Sequence, residues 1–220
     1  MKKIFWIIFT VVVLCSAMGC GYTNEKQEQP SIPSAREQTA EQIADKPKIL
    51  IAYFSRTGEN SQVGYIEKGN TEIVAEMIAD ETGGDLFKID PVNPYPDDYK
   101  QCVDIAKTEK ENNARPQIKG TVDNMQDYDV IFLGYPIWWG DMPMAVYTFL
   151  EGYDFNGKTI IPFATHEGSG LGNTPDNIAK ECSGAKILKG LEMRGRQAQN
   201  EQGKARQDVI DWLKQLNIIS

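Results

Sequence analysis

The sequence predicts an α/β fold, a doubly wound sheet of five parallel strands with helices on both faces. Two observations carry this prediction. Segments of strand length recur through the C-terminal part of the chain at Ile49 to Phe54, Asp85 to Ile89, Val130 to Gly134, Lys158 to Thr165 and Lys186 to Leu191. Segments with helical spacing of apolar residues separate them, so strand and helix alternate as a parallel sheet with right-handed crossovers requires. The first run, Ile49-Leu50-Ile51-Ala52-Tyr53-Phe54, is unbroken apolar, as suits a strand covered on both faces.

The chain has 220 residues, of which 41% are hydrophobic and 25% charged, enough for one globular domain with appendages. The appendages are N-terminal. Lys2 and Lys3 precede the apolar run Ile4 to Leu14, and small residues lead to Cys20, the layout of a secretory leader over residues 1–20. The run is too short to span a bilayer. Ala17-Met18-Gly19-Cys20 resembles the lipobox of bacterial lipoproteins, which implies a lipid on Cys20 and an exported, membrane-anchored product. Cleavage without lipid and an uncleaved anchor are the alternatives. Residues 21–47 are rich in Gln, Glu, Ser, Thr, Pro and Ala and too poor in large apolar residues to fold, so they read as a tether spanning roughly 30 Å.

From Lys48 the elements follow in order. The first helix places Ile73, Val74, Met77 and Ile78 on one face, and Gly83-Gly84 stops it. Pro91 to Pro96 is a rigid turn, and Asp97 to about Asn113 is the second helix, with Asp97 and Asp98 as turn and cap residues. Pro143 opens the third helix and Ala145 to Leu150 continues it. Pro162, inside the fourth strand, lacks a ladder donor and belongs at an edge or bulge. Thr174-Pro175 caps and starts a fourth helix ending near Cys182, and Ala205, Val209, Trp212, Leu213 and Leu216 form the stripe of a closing helix.

Three loops at strand ends carry the candidate chemistry. The first begins Ser55-Arg56-Thr57-Gly58 and ends Gly69-Asn70-Thr71 against a helix N-terminus. Unpaired amides and about half a positive charge there suit a phosphate, although an ordinary crossover turn has the same outline. The second is Pro136-Ile137-Trp138-Trp139-Gly140, and the third is Thr165-His166-Glu167-Gly168-Ser169-Gly170. They follow the first, third and fourth strands. In such sheets ligands sit beyond the carboxyl ends of strands, where strand order reverses.

The second and third loops resemble the flavin-contacting loops of flavodoxin-like proteins, and the resemblance extends from Lys48 to Ser220, to a short-chain bacterial branch of that superfamily. It implies strand order 2-1-3-4-5, non-covalent FMN and transfer of one or two electrons. Under it the first loop holds the FMN phosphate. Relatives carry a compact Ser/Thr-x-Thr-Gly-x-Thr loop, whereas here residues are inserted between Asn60 and Gly69. Ser55 and Arg56 then form one half of the phosphate site and Gly69, Asn70 and Thr71 the other, with Thr57 the least certain member. Residues 136–140 would carry the isoalloxazine, Trp139 being the expected plate and Trp138 the second candidate, since two adjacent tryptophans in a turn are costly to expose without use. One of the two could instead pack in the core beside Met142 and Met144. Residues 165–170 would bring backbone N–H groups to the pyrimidine edge of the ring.

His166 is the only histidine, which excludes a multi-histidine metal site. It reads either as a proton donor beside the flavin or as a loop residue that touches nothing. No CxxC, zinc spacing or dinucleotide-binding fingerprint is present. Arg194 and Arg196 read as a solvated pair. The net charge of −8 becomes −10 once Lys2 and Lys3 leave with the leader, which repels nucleic acid and favours basic protein partners. A redox protein or quinone at the membrane is the expected partner. Three functions stay open: an electron carrier, an NAD(P)H-dependent quinone or flavin reductase, and a redox-silent flavin-binding protein. Export disfavours direct hydride transfer from cytosolic nucleotides. Cys102 and Cys182 should both be free, because the third helix would separate theirs by more than a disulfide spans.

Overall fold

The computed structural model describes residues 46–220, so the leader, Cys20 and nearly all of the tether lie outside the described residues. The elements are β1 (Ile49–Tyr53), β2 (Gly58–Asn60), β3 (Gly64–Ile66), α1 (Asn70–Thr82), β4 (Asp85–Lys88), α2 (Tyr99–Glu111), β5 (Val130–Pro136), α3 (Met144–Glu151), β6 (Thr159–His166), α4 (Thr174–Glu181), β7 (Lys186–Ile187), β8 (Leu191–Arg194), α5 (Gly195–Asn200) and α6 (Gln202–Gln215). The main sheet runs β4-β1-β5-β6-β7, with β8 also paired to β6. All of its pairings are parallel. With β7 and β8 counted as one interrupted strand, this is the predicted order 2-1-3-4-5.

Alternation along the strands divides the interior in two. Leu50, Ala52, Ile131 and Leu133 face one core, closed by Met144, Ala145 and Phe149 of α3 and Ile178 of α4. Ile49, Ile51, Tyr53, Phe132 and Phe163 face the other, closed by α1, α5 and α6. Helix α6 buries Ala205, Val209, Trp212 and Leu213, and the Trp212 ring meets Phe132 edge-on at 5.5 Å. Burial of each large apolar side chain contributes roughly 1.5 to 3 kcal/mol, so this stripe is what docks the helix.

The fifth strand departs from expectation, and Pro162 gives the reason. Leu188 donates its amide to Ile160 O at 3.0 Å, so the next residue of β6 facing that side is Pro162, which has no N–H to offer. The fifth strand breaks there into β7 and β8. Ile160 pairs with Ile187 and Phe163 with Leu191, so three residues, Leu188 to Gly190, bulge opposite two. Two further elements are absent from the sequence reading. The residues inserted before Gly69 form an antiparallel hairpin, β2–β3, and Gly195 to Asn200 form an extra helical turn and a half. The cap of α4 also differs: Asn173 is the boundary residue, and the Thr174 hydroxyl donates to Leu171 O at 2.6 Å while accepting from Tyr135.

Candidate functional site

The carboxyl ends of β1, β5 and β6 are neighbours, so the three loops meet. Between them lies an open cleft of about 330 Å³ whose walls include Asn60, Asn70, Tyr99, Pro136, Ile137, Trp138 and residues 165–169.

At one end is the N-terminus of α1. Gly69 occupies the cap position without a side-chain cap, and Ser55 Oγ reaches in to accept the Glu72 amide at 3.0 Å. Two loop halves separated by the hairpin therefore touch. A Cβ on Gly69 would lie 2.2 Å from Ser55 Oγ and 2.6 Å from Arg56 O, so only glycine permits the approach. Ile73 pairs with Gly69 O, while the helix leaves the amides of Asn70 and Thr71 unpaired. The Thr71 hydroxyl is buried and bonded to the Thr165 hydroxyl at 2.8 Å, tying the first loop to the third. Asn70 Oδ1 accepts from Gln199 of α5 at 2.9 Å, and Gln199 also donates to Lys68 O.

Arg56 has a different task from the one expected. Its guanidinium donates to the carbonyls of Pro96 at 2.7 Å, Asp97 at 2.6 Å and Glu59, locking the hairpin to the turn before α2. Glu59 completes the lock by accepting from the Tyr99 amide and donating its own amide to Asp97 O. The hairpin thereby brings Asn60 and Ser61 to the cleft, while Thr57 is exposed and does not line it.

The second loop is a tight turn. Trp138 and Asp141 exchange both backbone hydrogen bonds, and the residues between them, Trp139 and Gly140, have φ of 52° and 73°. This is a type I′ geometry, in which a tryptophan in the left-handed region costs of order 1 to 3 kcal/mol. Compensating contacts hold it: Lys110 Nζ donates to Trp139 O at 2.6 Å, and Trp139 Nε1 donates to Val103 O at 3.0 Å. The Asp141 carboxylate accepts from Tyr147, Asn177 and the Met142 amide, fixing the far side of the turn. Trp138 packs edge-on against Phe54 at 5.2 Å and Tyr95 at 5.0 Å and lines the cleft. Trp139, half exposed, lines an adjoining groove instead. The aromatic wall of the cleft is thus Trp138, the second of the two candidates.

In the third loop, His166 Nδ1 accepts from the amides of Gly168 at 2.8 Å and Gly170 at 3.2 Å. Those amides, expected to face a ligand, are spent on the imidazole, whose own proton is then on Nε2. Burial lowers the His166 pKa; Glu192 opposes this, Arg194 adds to it and Glu167 opposes it. Glu167 Oε1 accepts the Arg196 amide at 2.9 Å at the start of α5. Its Oε2 is, among the described residues, the buried side-chain oxygen without a hydrogen-bond partner, with Arg196 Nε 4.0 Å away. Arg194 donates to Glu167 O, so both arginines serve this loop. No cluster of three metal-ligating side chains occurs among the described residues.

The donor set fits a flavin mononucleotide. Unpaired amides and a helix N-terminus suit its phosphate, the orphaned Glu167 oxygen suits a hydroxyl or imide N–H, and Trp138 offers an apolar wall for a flat ring. Sequence reasoning missed Asn60, Ser61, Tyr99 and Gln199. The first three reach the cleft only through the hairpin lock, and Gln199 only through the unanticipated α5.

A doubly wound parallel sheet in the order 2-1-3-4-5, with an open cleft beyond its carboxyl ends, makes this a flavodoxin-like protein by fold. The chain belongs to the flavodoxin family, whose profile matches residues 48–215. It is similar to a protein described as a flavoprotein from Bacteroides eggerthii, at 34% identity over 76% of this chain and 96% of that one, with a TM-score of 0.61. It is also similar to one so described from Bacteroides uniformis, at 30% identity over 76% and 98%, with a TM-score of 0.62. A flavoprotein of Lactobacillus acidophilus solved in complex with FMN shares the fold at 21% identity, covering 71% of this chain and 99% of that one, with a TM-score of 0.52. No curated protein matches.

Proposed function

We propose that this protein is an electron carrier that works through non-covalently bound FMN outside the cytoplasm. The observation that carries the reading is the convergence of three loops on one cleft, with unpaired helix amides at one end and a tryptophan wall beside it. Family membership supports the redox role, and the FMN complex of the Lactobacillus relative supports the cofactor. Asn70 and Thr71 bind the phosphate through their amides, and Ser55 and Thr165 hold those amides in place. Trp138 excludes water from one side of the ring. FMN supplies the electron transfer itself.

The leader carries the chain out of the cytoplasm, Cys20 takes the lipid, and residues 21–47 let the domain reorient at the membrane to meet a redox protein or quinone. No helix among the described residues is long and apolar enough to cross a membrane. Titration of the protein with FMN, with and without residues 1–47, tests binding. Asn70→Ala combined with Thr71→Val keeps the amides but removes the ties to Gln199 and Thr165 that position them, and should weaken binding at least tenfold, equivalent to about 1.4 kcal/mol, and Thr57→Val much less; the reverse ranking would place the phosphate elsewhere. Anaerobic dithionite titration then separates functions: two resolved one-electron steps support the carrier, and rapid NADPH oxidation would replace it with a reductase.

A further inference from the structure

Beside the flavin cleft runs a second cavity of about 260 Å³. It shares Asn60, Tyr99, Ile137 and Trp138 with the cleft, and adds Cys102, Val103 and Ala106 of α2 and the Trp139 ring as walls of its own. We propose that this groove binds a small planar quinone, the electron acceptor, edge to edge with the flavin site.

The lining defines the ligand. Three small or medium α2 side chains on one side and indole on the other make a slot suited to a flat ring. The slot is built at a cost: Trp139 is held in the left-handed region, its indole N–H tied to α2 and its carbonyl to Lys110, yet the residue is left 50% exposed. A rigid aromatic ring lining a cavity offers a flat ligand an apolar wall. Tyr99, 45% exposed at the mouth, has a hydroxyl with no partner among the described residues, and so offers a donor to a ring carbonyl. Arg56, also at this groove, is committed to three backbone carbonyls, so it holds no free fork for a phosphate. A dinucleotide is therefore a poor fit, and the size is at the low end for small-molecule sites. Burial pushes the Cys102 thiol up to about 11, so the groove offers no reactive thiolate and holds its ligand without a covalent bond.

As a binding site the groove stands alone; as an acceptor site it rests on the FMN reading. A bound quinone would take two electrons and two protons and leave as the hydroquinone, the reduced flavin being the donor and returning to its oxidised form. The test uses the full chain in detergent and 1,4-naphthoquinone. Flavin-free protein should show saturable quenching of tryptophan fluorescence by the quinone. Val103→Phe, which fills a position outside the flavin cleft, should raise the quinone dissociation constant at least tenfold and leave FMN affinity within twofold. Unsaturable quenching, or unchanged quinone binding in Val103→Phe, overturns the proposal, as would equal losses of quinone and FMN binding, which would make the groove part of the flavin site. Failure of the wild-type chain to bind FMN would instead overturn the functional reading and leave the groove result standing. With FMN bound, reoxidation of the reduced protein should saturate with quinone and slow in Val103→Phe. Rates that rise linearly to the highest concentration, with no difference between the proteins, would point to a protein acceptor and refute the groove.

Discussion

Gly69→Ala isolates the junction on which the proposed phosphate site depends. The residue has φ −70° and ψ 151°, a backbone any amino acid adopts, so its substitution adds a methyl group and no torsional strain. That methyl would lie 2.2 Å from Ser55 Oγ, 2.6 Å from Arg56 O and 3.0 Å from Arg56 N. The serine could rotate away, at the loss of its bond to the Glu72 amide, but the Arg56 backbone cannot, because its side chain is pinned to three carbonyls. The two loop halves must separate, and overpacking of this kind costs about 1 to 3 kcal/mol. If most of that falls on the geometry of the Asn70 and Thr71 amides, FMN affinity drops about 5- to 150-fold by the conversion of 1.4 kcal/mol per decade. FMN fluorescence titration measures the affinity, and thermal melts of the flavin-free protein measure the share lost to folding. Gly203→Ala is the control, since nothing lies within 4 Å of its added methyl and it sits in α6, where alanine gains up to about 1 kcal/mol. Wild-type FMN affinity in Gly69→Ala would show that the contact between Ser55 and Gly69 does not shape the binding site.

Three other outcomes follow from the same geometry. His166 is less basic folded than free, so the unfolded chain binds the extra proton; stability is fully present above the ordinary histidine value of 6.5 and is lost as pH falls from there through the lower folded value. His166→Asn, which keeps an acceptor for Gly168 and Gly170 but does not titrate, should melt with a flatter pH profile in that window; identical profiles would remove His166 from the loop's support. FMN should quench tryptophan fluorescence mainly through Trp138, so Trp138→Phe should shrink the amplitude more than Trp139→Phe, and the opposite order would put the ring in the neighbouring groove. Cys102 and Cys182 are buried and unpaired, with thiols pushed up to about 11 and about 12 by burial. Denatured, unreduced residues 46–220 should show two titratable thiols that react slowly when folded, and a protected pair would break the strand order.

The centre of the sheet was legible in the sequence because β1, β5 and β6 are buried on both faces and so read as nearly uninterrupted apolar runs, whereas β4, β7 and β8 at its edges are largely exposed and carry charged residues. The position of Pro162 was legible as an anomaly but not its resolution, since a missing donor can be met by an edge or by a bulge in the neighbouring strand, and only the register of β6 with β7 and β8 shows which. The hairpin was hidden for a different reason. Its strands are three residues each, below the length at which alternation can be read, and its turn depends on Gln62 with φ 64°, a residue that does not announce the left-handed region. That Trp138 lines the cleft and Trp139 the groove was not legible, because a type I′ turn favours glycine or asparagine at both central positions and Trp139 occupies one of them.

Arg56 shows how one residue reorganises the site around the insertion. A positive side chain next to a phosphate loop invites assignment as a phosphate ligand, yet an arginine carries five donors in a rigid plane, and here four hydrogen bonds from that plane go to carbonyls of two segments. Those segments are the hairpin, which supplies Asn60 to both cavities, and the turn that launches α2, which supplies Tyr99 to both. The same side chain therefore fixes a wall of the cleft and a wall of the groove relative to the end of β1. A lysine could neutralise a phosphate equally well but could not bridge the two segments in one plane. Arginine at this position is explained by the clamp, and in the proposed reading the phosphate falls to the amides of α1, which need no side-chain charge to bind it.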